Sequence, residues 1–161
     1  MTRLADILGS VYRKDRAVLE QLTPVELEAR DSDGRTPLMH AILAEDADAA
    51  IVQLLIDRGA DANVYDLGER WTPLHFAARD QNASIVRILL EAGAAVDAVD
   101  VFGNTPLWRS VMNSAEDLGA IRELLEHGAD PRRENSRGVS PTDLARETGR
   151  TDILGLLEGK N

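Results

Sequence analysis

The tetrapeptide Thr36-Pro37-Leu38-Met39 returns as Thr72-Pro73-Leu74-His75 and again as Thr105-Pro106-Leu107-Trp108. A weakened copy stands at Ser140-Pro141-Thr142-Asp143, and the steps between copies are 36, 33 and 35 residues. A self-similarity of this period constrains the chain more than any single residue does. Each unit is too small to bury its own apolar face, so neighbouring units must stack to make a continuous core. A second marker runs in register with the first: Gly59-Ala60-Asp61, Gly93-Ala94-Ala95 and Gly128-Ala129-Asp130. Between the markers lie apolar runs at helical spacing, among them Ile51, Val52, Leu54 and Leu55, then Ile85, Val86, Leu89 and Leu90, then Ile121, Leu124 and Leu125.

Each marker has a physical role. Thr before Pro-Leu caps a helix through its hydroxyl, and Pro at the first helical position loses no hydrogen bond. The small residues that follow, Ala41, Ala77, Ala78 and Ser110, let that helix approach its neighbours closely. Gly after the second apolar run supplies the left-handed conformation of a helix C-terminus. An extended excursion then leads to an Asx-x-x-Gly turn at 31–34, 100–103 and 135–138, where Asp or Asn closes the turn and Gly provides a positive φ.

The combination resembles the ankyrin repeat, with its period of about thirty-three residues and its Thr-Pro-Leu-His and Gly-Ala-Asp signatures. The likeness covers residues 31–161. It implies an all-α fold with short β-hairpin fingers, in which antiparallel helix pairs stack into a curved solenoid. On this reading 1–161 is one domain: capping helices over 1–30, repeats over 31–65, 66–99 and 100–134, and a C-terminal capping repeat over 135–161. Three departures stand out. Two extra residues fall between the helices of the first and third repeats, around 45–48 and 113–117, and one falls in the second finger, within 67–71. The signature His survives only at His75, with Met39, Trp108 and Asp143 in its place elsewhere.

Composition narrows the function classes. The chain has no cysteine, which excludes disulfides, Cys-ligated metals and thiol catalysis. Charges at Arg3, Asp6, Arg13, Lys14 and Asp15 rule out a secretory signal in the first residues as they stand, and no window approaches eighteen apolar residues. The expectation is a cytoplasmic protein away from membranes. Net charge is −10, unevenly spread: residues 1–14 carry +2, residues 15–130 carry −13, and residues 131–161 carry +1. Such a body repels a phosphate backbone and suits either plain solvation or the steering of a basic partner. The adjacent pair Arg132 and Arg133 has no interleaved aromatics and reads as a solvated loop, so no nucleic-acid role is expected.

Residues for chemistry are scarce. His40, His75 and His127 have no metal-ligand spacing; they read as a packed or hydrogen-bonded side chain, a signature residue and a helix C-terminal base. The turn Asp31-Ser32-Asp33-Gly34 is similar to a calcium loop but lacks its third ligand and its terminal Glu, and reads as a finger turn. No phosphate loop, nucleophile elbow or catalytic spacing is present. The reading is therefore no enzyme, no catalytic residue, no metal and no cofactor.

The resemblance implies binding through fingertips and the concave ends of the first helices. Carried over position by position, it marks Asp33, Arg35, Tyr65, Arg70, Trp71 and Phe102 on fingers, and Arg79, Asp80, Met112 and Asn113 on helix ends. Trp71 and Phe102 lie in turns expected to face solvent, and a Tyr65–Trp71–Phe102 ridge beside arginines has the composition of an interface hot spot. The extra finger residue leaves a second placement open, with Trp71 folded back onto its neighbour. Trp108 is core or groove-facing. The functions expected are an adaptor, regulator or inhibitor for a protein partner, monomeric until bound. One concrete version is an immunity-type inhibitor that occludes a basic toxin or nuclease surface; the alternative is a structural subunit of a larger assembly.

Overall fold

Thr36, Thr105 and Ser140 each hold an extended backbone just before Pro, and each side-chain oxygen accepts the N–H three residues on, at 3.5, 3.2 and 3.1 Å. These caps start the first helix of the first, third and last repeats where the sequence places it. The computed structural model describes residues 3–159, so residues 1, 2, 160 and 161 of the expected domain lie outside the described residues. Among the described residues are eleven helices and no strand.

The helices run α1 (Leu4–Tyr12), α2 (Arg16–Leu19), α3 (Pro24–Leu27), α4 (Pro37–Leu43), α5 (Ala49–Asp57) and α6 (Pro73–Arg79). They continue as α7 (Ala83–Glu91), α8 (Pro106–Asn113), α9 (Gly119–Glu126), α10 (Pro141–Glu147) and α11 (Thr151–Leu157). They form two columns. First helices stack in the order α1, α4, α6, α8, α10; second helices stack as α2, α5, α7, α9, and α11 packs on α10. This is an all-α repeat solenoid. Its core runs the length of the stack: Leu38, Leu74 and Leu107 are sealed within the first column, and Leu55, Leu89 and Leu124 within the second. Each such side chain contributes about 1.5–3 kcal/mol on burial. Ala41, Ala77, Ser110 and Ala145 are also buried, so small residues do occupy the tight helix–helix approaches.

Second helices end at glycine as expected. At Gly59 the φ is +97°, and the Ala60 N–H reaches back to the Leu55 carbonyl at 3.0 Å. The same closure recurs from Ala94 to Leu89 at 2.9 Å and from Ala129 to Leu124 at 3.0 Å.

The fingers are tight hairpin-like turns stitched side to side. Within them, Asp31 N–H donates to the Arg35 carbonyl, Asp100 to Asn104 and Asn135 to Val139, each at 3.1 Å. The second finger closes one residue later, from Asp66 to Trp71 at 3.0 Å, and so absorbs the extra residue; Arg70, with φ +60°, takes the left-handed place held by glycine in the others. Adjacent fingers are joined by single backbone bonds: Leu67 N–H to Asp33 C=O (2.7 Å), Val101 to Glu69 (2.9 Å) and Ser136 to Phe102 (2.9 Å). Close approach follows. A Cβ on Gly103 would lie 2.9 Å from the Ser136 nitrogen.

Before the first Thr-Pro-Leu unit, α1 packs on α4 and α2 on α5, so the degenerate segment fills the place of a repeat. Tyr12 joins it to the first repeat. Its hydroxyl donates to His40 Nδ1 at 2.7 Å, and His40 Nε2 donates to Asp31 at 2.8 Å. The two-residue insertions are pinned as loops: Lys14 reaches Asp46 at 2.6 Å, and Arg150 donates to the carbonyls of Ser114 (2.8 Å) and Ala115 (2.7 Å).

Candidate partner-binding face

The second and third fingers are organised around two buried carboxylates. Asp66 accepts the Trp71 N–H at 3.0 Å. Asp100 accepts the N–H groups of Phe102 and Asn104, both at 2.9 Å, and binds the Arg109 guanidinium, which also pairs with Glu69 at 3.0 Å. Burial opposes ionisation of Asp100, but the hydrogen bonds from Arg109 and from the Asn104 and Phe102 backbone outweigh it. The carboxyl is held below its ordinary range. In the first finger, Asp31 Oδ1 takes the N–H groups of Asp33 and Arg35 at 2.9 Å while Oδ2 takes His40. The supposed calcium-loop oxygens are therefore committed to the turn.

His75 ties the second repeat to the third. Its ring is fully buried; Nε2 donates to the Asn104 carbonyl at 3.1 Å, which leaves Nδ1 to accept from Thr72 N–H (3.2 Å) and Thr72 O–H (2.9 Å). Burial pushes this imidazole down to about 4, against the opposing pull of the Asn104 carbonyl. In the last repeat Asp143 replaces the back-bond, accepting Ser140 N–H at 3.1 Å and O–H at 2.6 Å.

The ten residues marked for binding separate into three groups. Trp71 is the correction. Its turn is expected to face solvent, with a folded-back placement left open, and the ring takes the folded-back one, only 7% exposed. Its ring packs on Phe76 (centroids 5.1 Å) and stacks with His75 (6.1 Å), with Arg79 at 5.4 Å and Arg109 at 4.6 Å from its centroid. The sixth finger residue turns the indole inward, so no continuous Tyr65–Trp71–Phe102 ridge forms. Trp71 instead shares a shallow depression with Arg35 and Arg79. Arg35 lies 5.8 Å from the Phe76 centroid and 3.4 Å from Asp33, while Arg79 chelates Asp80 at 2.6 and 2.9 Å.

Tyr65 (43% exposed) and Arg70 form a second group, with the guanidinium 4.4 Å over the ring, beside Val99. Phe102 (49%) and Met112 (58%) form the third, on a groove between α8 and α10 that also takes in half-buried Trp108. Asn113 is exposed at the end of α8 and donates to the Arg109 carbonyl at 2.8 Å. The turn-closing role of Asp100 follows the sequence expectation, whereas sequence reasoning missed Asp66 and Arg109, which also set the fingers, and Leu144 and Glu147, which complete the groove. The signal was available: an Asp six or five residues ahead of each Thr-Pro-Leu, and an Arg three residues after Pro106.

Among the described residues no three His, Cys, Asp or Glu side chains converge to hold a metal ion. No described helix is long and apolar enough to cross a membrane. Helix pairs on a two-column core, with joined fingers along one edge, define a helical repeat protein. A family model described as ankyrin repeats, in three copies, matches residues 8–100 and 39–135, and the chain belongs to the ankyrin-repeat family. Ankyrin repeats generally mediate protein–protein interaction and are generally non-catalytic.

Three relatives illustrate the breadth of the match. The human B-cell lymphoma 3 protein is 38% identical over 144 residues, 86% of this chain and 30% of that one. The probable E3 ubiquitin-protein ligase XBOS34 of Oryza sativa subsp. japonica is 30% identical over 83% of this chain and 19% of its own. The tyrosine-protein kinase Shark of Drosophila melanogaster is 35% identical over 81% of this chain and 13% of its own. The chain spans less than a third of the length of each of these relatives.

Proposed function

We propose that this chain is a non-catalytic protein-interaction module, an adaptor, regulator or inhibitor. On this reading it is monomeric and cytoplasmic until it meets its partner, which it takes on its fingers and first-helix face. One observation carries the reading. Large exposed apolar side chains gather there, with Tyr65, Leu67, Val101 and Phe102 on fingers and Met112 on α8; among the described residues α5, α7 and α9 show none, and the others are Val99 and, in the N-terminal helices, Tyr12, Val18 and Val25. Exposed apolar surface on one edge of an otherwise well-packed stack marks a contact site. Asp33, Arg70, Asp80 and Asn113 border it as polar rim, and the −13 carried by residues 15–130 favours a basic partner. Trp71, Arg35 and Arg79 serve as a rigid support from which the fingers project.

Site-specific photo-cross-linking tests this. A photoreactive residue at position 102 or 112 should trap the same native protein, and one at Gln53 or Arg87, on the second helices, should not. Equal trapping from both faces, or trapping from the second helices alone, contradicts the reading.

A further inference from the structure

We infer that the groove between α8 and α10 is a binding site for a short linear segment of a protein partner that carries one large apolar side chain between an acidic and a basic residue. The inference deepens the interaction reading and rests on it. The groove encloses about 410 Å3, room for a large side chain, and its floor is Trp108, Val139 and Leu144 with Phe102 and Met112 at its edges. Phe102 and Met112 stay about half exposed although each adjoins buried apolar surface, so a seated apolar group would remove area from water on both sides.

Charge fixes the direction and chemistry of the occupant. Arg137 and Glu147 both line the same groove, both are exposed, and neither has an ion pair among the described residues. Arg137 lies in the finger that precedes α10, and Glu147 is the last residue of α10. The helix runs between them. The carbonyl end of α10 adds negative potential beside Glu147, where a cation is favoured. Neighbouring charges on this face are already spent: Arg109 on Asp100 and Glu69, and Arg146 on Asp143. The free pair thus asks for a carboxylate near Arg137 and a Lys or Arg near Glu147, with the apolar anchor between.

A random dodecapeptide display library, selected on the immobilised full chain and followed by synthesis of the enriched peptides, tests this directly. The expected peptides hold an aromatic or branched aliphatic residue with a basic residue on one side and an acidic residue on the other. Their amide-shift perturbations should centre on residues 102, 108, 112, 139 and 144. E147K should weaken them about fivefold and leave Tm unchanged, and a peptide with Glu in place of its basic residue should regain affinity for E147K. Indifference to E147K, perturbations centred on other surfaces, or no enriched sequence would overturn the groove assignment. None of these results bears on photo-cross-linking at position 102, which judges the interaction reading separately.

Discussion

The Arg109 guanidinium of α8 lies 4.6 Å from the Trp71 ring centroid, so a finger of one repeat is clamped by a helix of the next. The same arginine binds Asp100 and Glu69, which puts the indole, two fingers and a first helix in one connected unit. This unit is why the aromatic in the longest finger is structural, whereas Phe102, one repeat on, is left at the surface.

The two aromatics should therefore behave differently. W71A removes a buried indole and should cost about 3–5 kcal/mol, read by urea denaturation. F102A should stay within about 1 kcal/mol of the parent. Equal losses at both positions would place Trp71 and Phe102 in the same environment, against the structure.

The Asp100–Arg109 pair should be costly to break from either side. D100A leaves the Arg109 guanidinium with Glu69 alone and strands the N–H groups of Phe102 and Asn104, and should destabilise by about 2–4 kcal/mol. In a double-mutant cycle with R109A, the two losses should fall well short of adding. Additive losses would mean that the two groups act independently.

His75 gives stability a pH dependence whose sign is set by burial. The folded ring stays neutral down to about pH 4, whereas an unfolded imidazole protonates near 6.5. Between these values the unfolded chain binds the extra proton. The stabilisation is thus complete above about 6.5 and is lost as pH falls towards 4, by roughly 3 kcal/mol in all. Chemical denaturation between pH 7.5 and 4 should show this slope for the parent and a flatter profile for H75Q. Parallel profiles would remove His75 as the cause.

Two finger glycines test the lateral stitching. Gly138 has φ +73° and a built Cβ that meets only Glu134 Oε2, at an ordinary 3.8 Å, so G138A should cost about 1–2 kcal/mol from backbone conformation alone. Gly103 has φ +78° and the Ser136 nitrogen 2.9 Å from a built Cβ, so G103A should cost more and should weaken protection of the Ser136 amide in hydrogen exchange. A smaller loss at 103 than at 138 would contradict the finger-to-finger contact.

Much of this architecture was legible because its signals are local. Thr before Pro-Leu caps a helix within four residues, and Gly59, Gly93 and Gly128 end one within six, so periodicity and capping placed the helices directly. Trp71 was not legible in the same way. Its neighbours Phe76, Arg79 and Arg109 come from two different helices, and a one-residue lengthening of a finger reverses a side chain's direction without changing composition. Tyr12 and His40 meet across 28 residues for the same reason. The groove needed α10 in place before Leu144 and Glu147 could be seen to face Phe102 and Met112.

The central claim is that the fingers and first-helix face bind a protein. Its most direct test is affinity capture from native extract in low salt, comparing the parent chain with an F102A/M112A variant of matched Tm. A protein should be retained by the parent and lost from the variant, with R87A on the second-helix face retaining it fully. Undiminished retention by F102A/M112A, or loss through R87A instead, would contradict it.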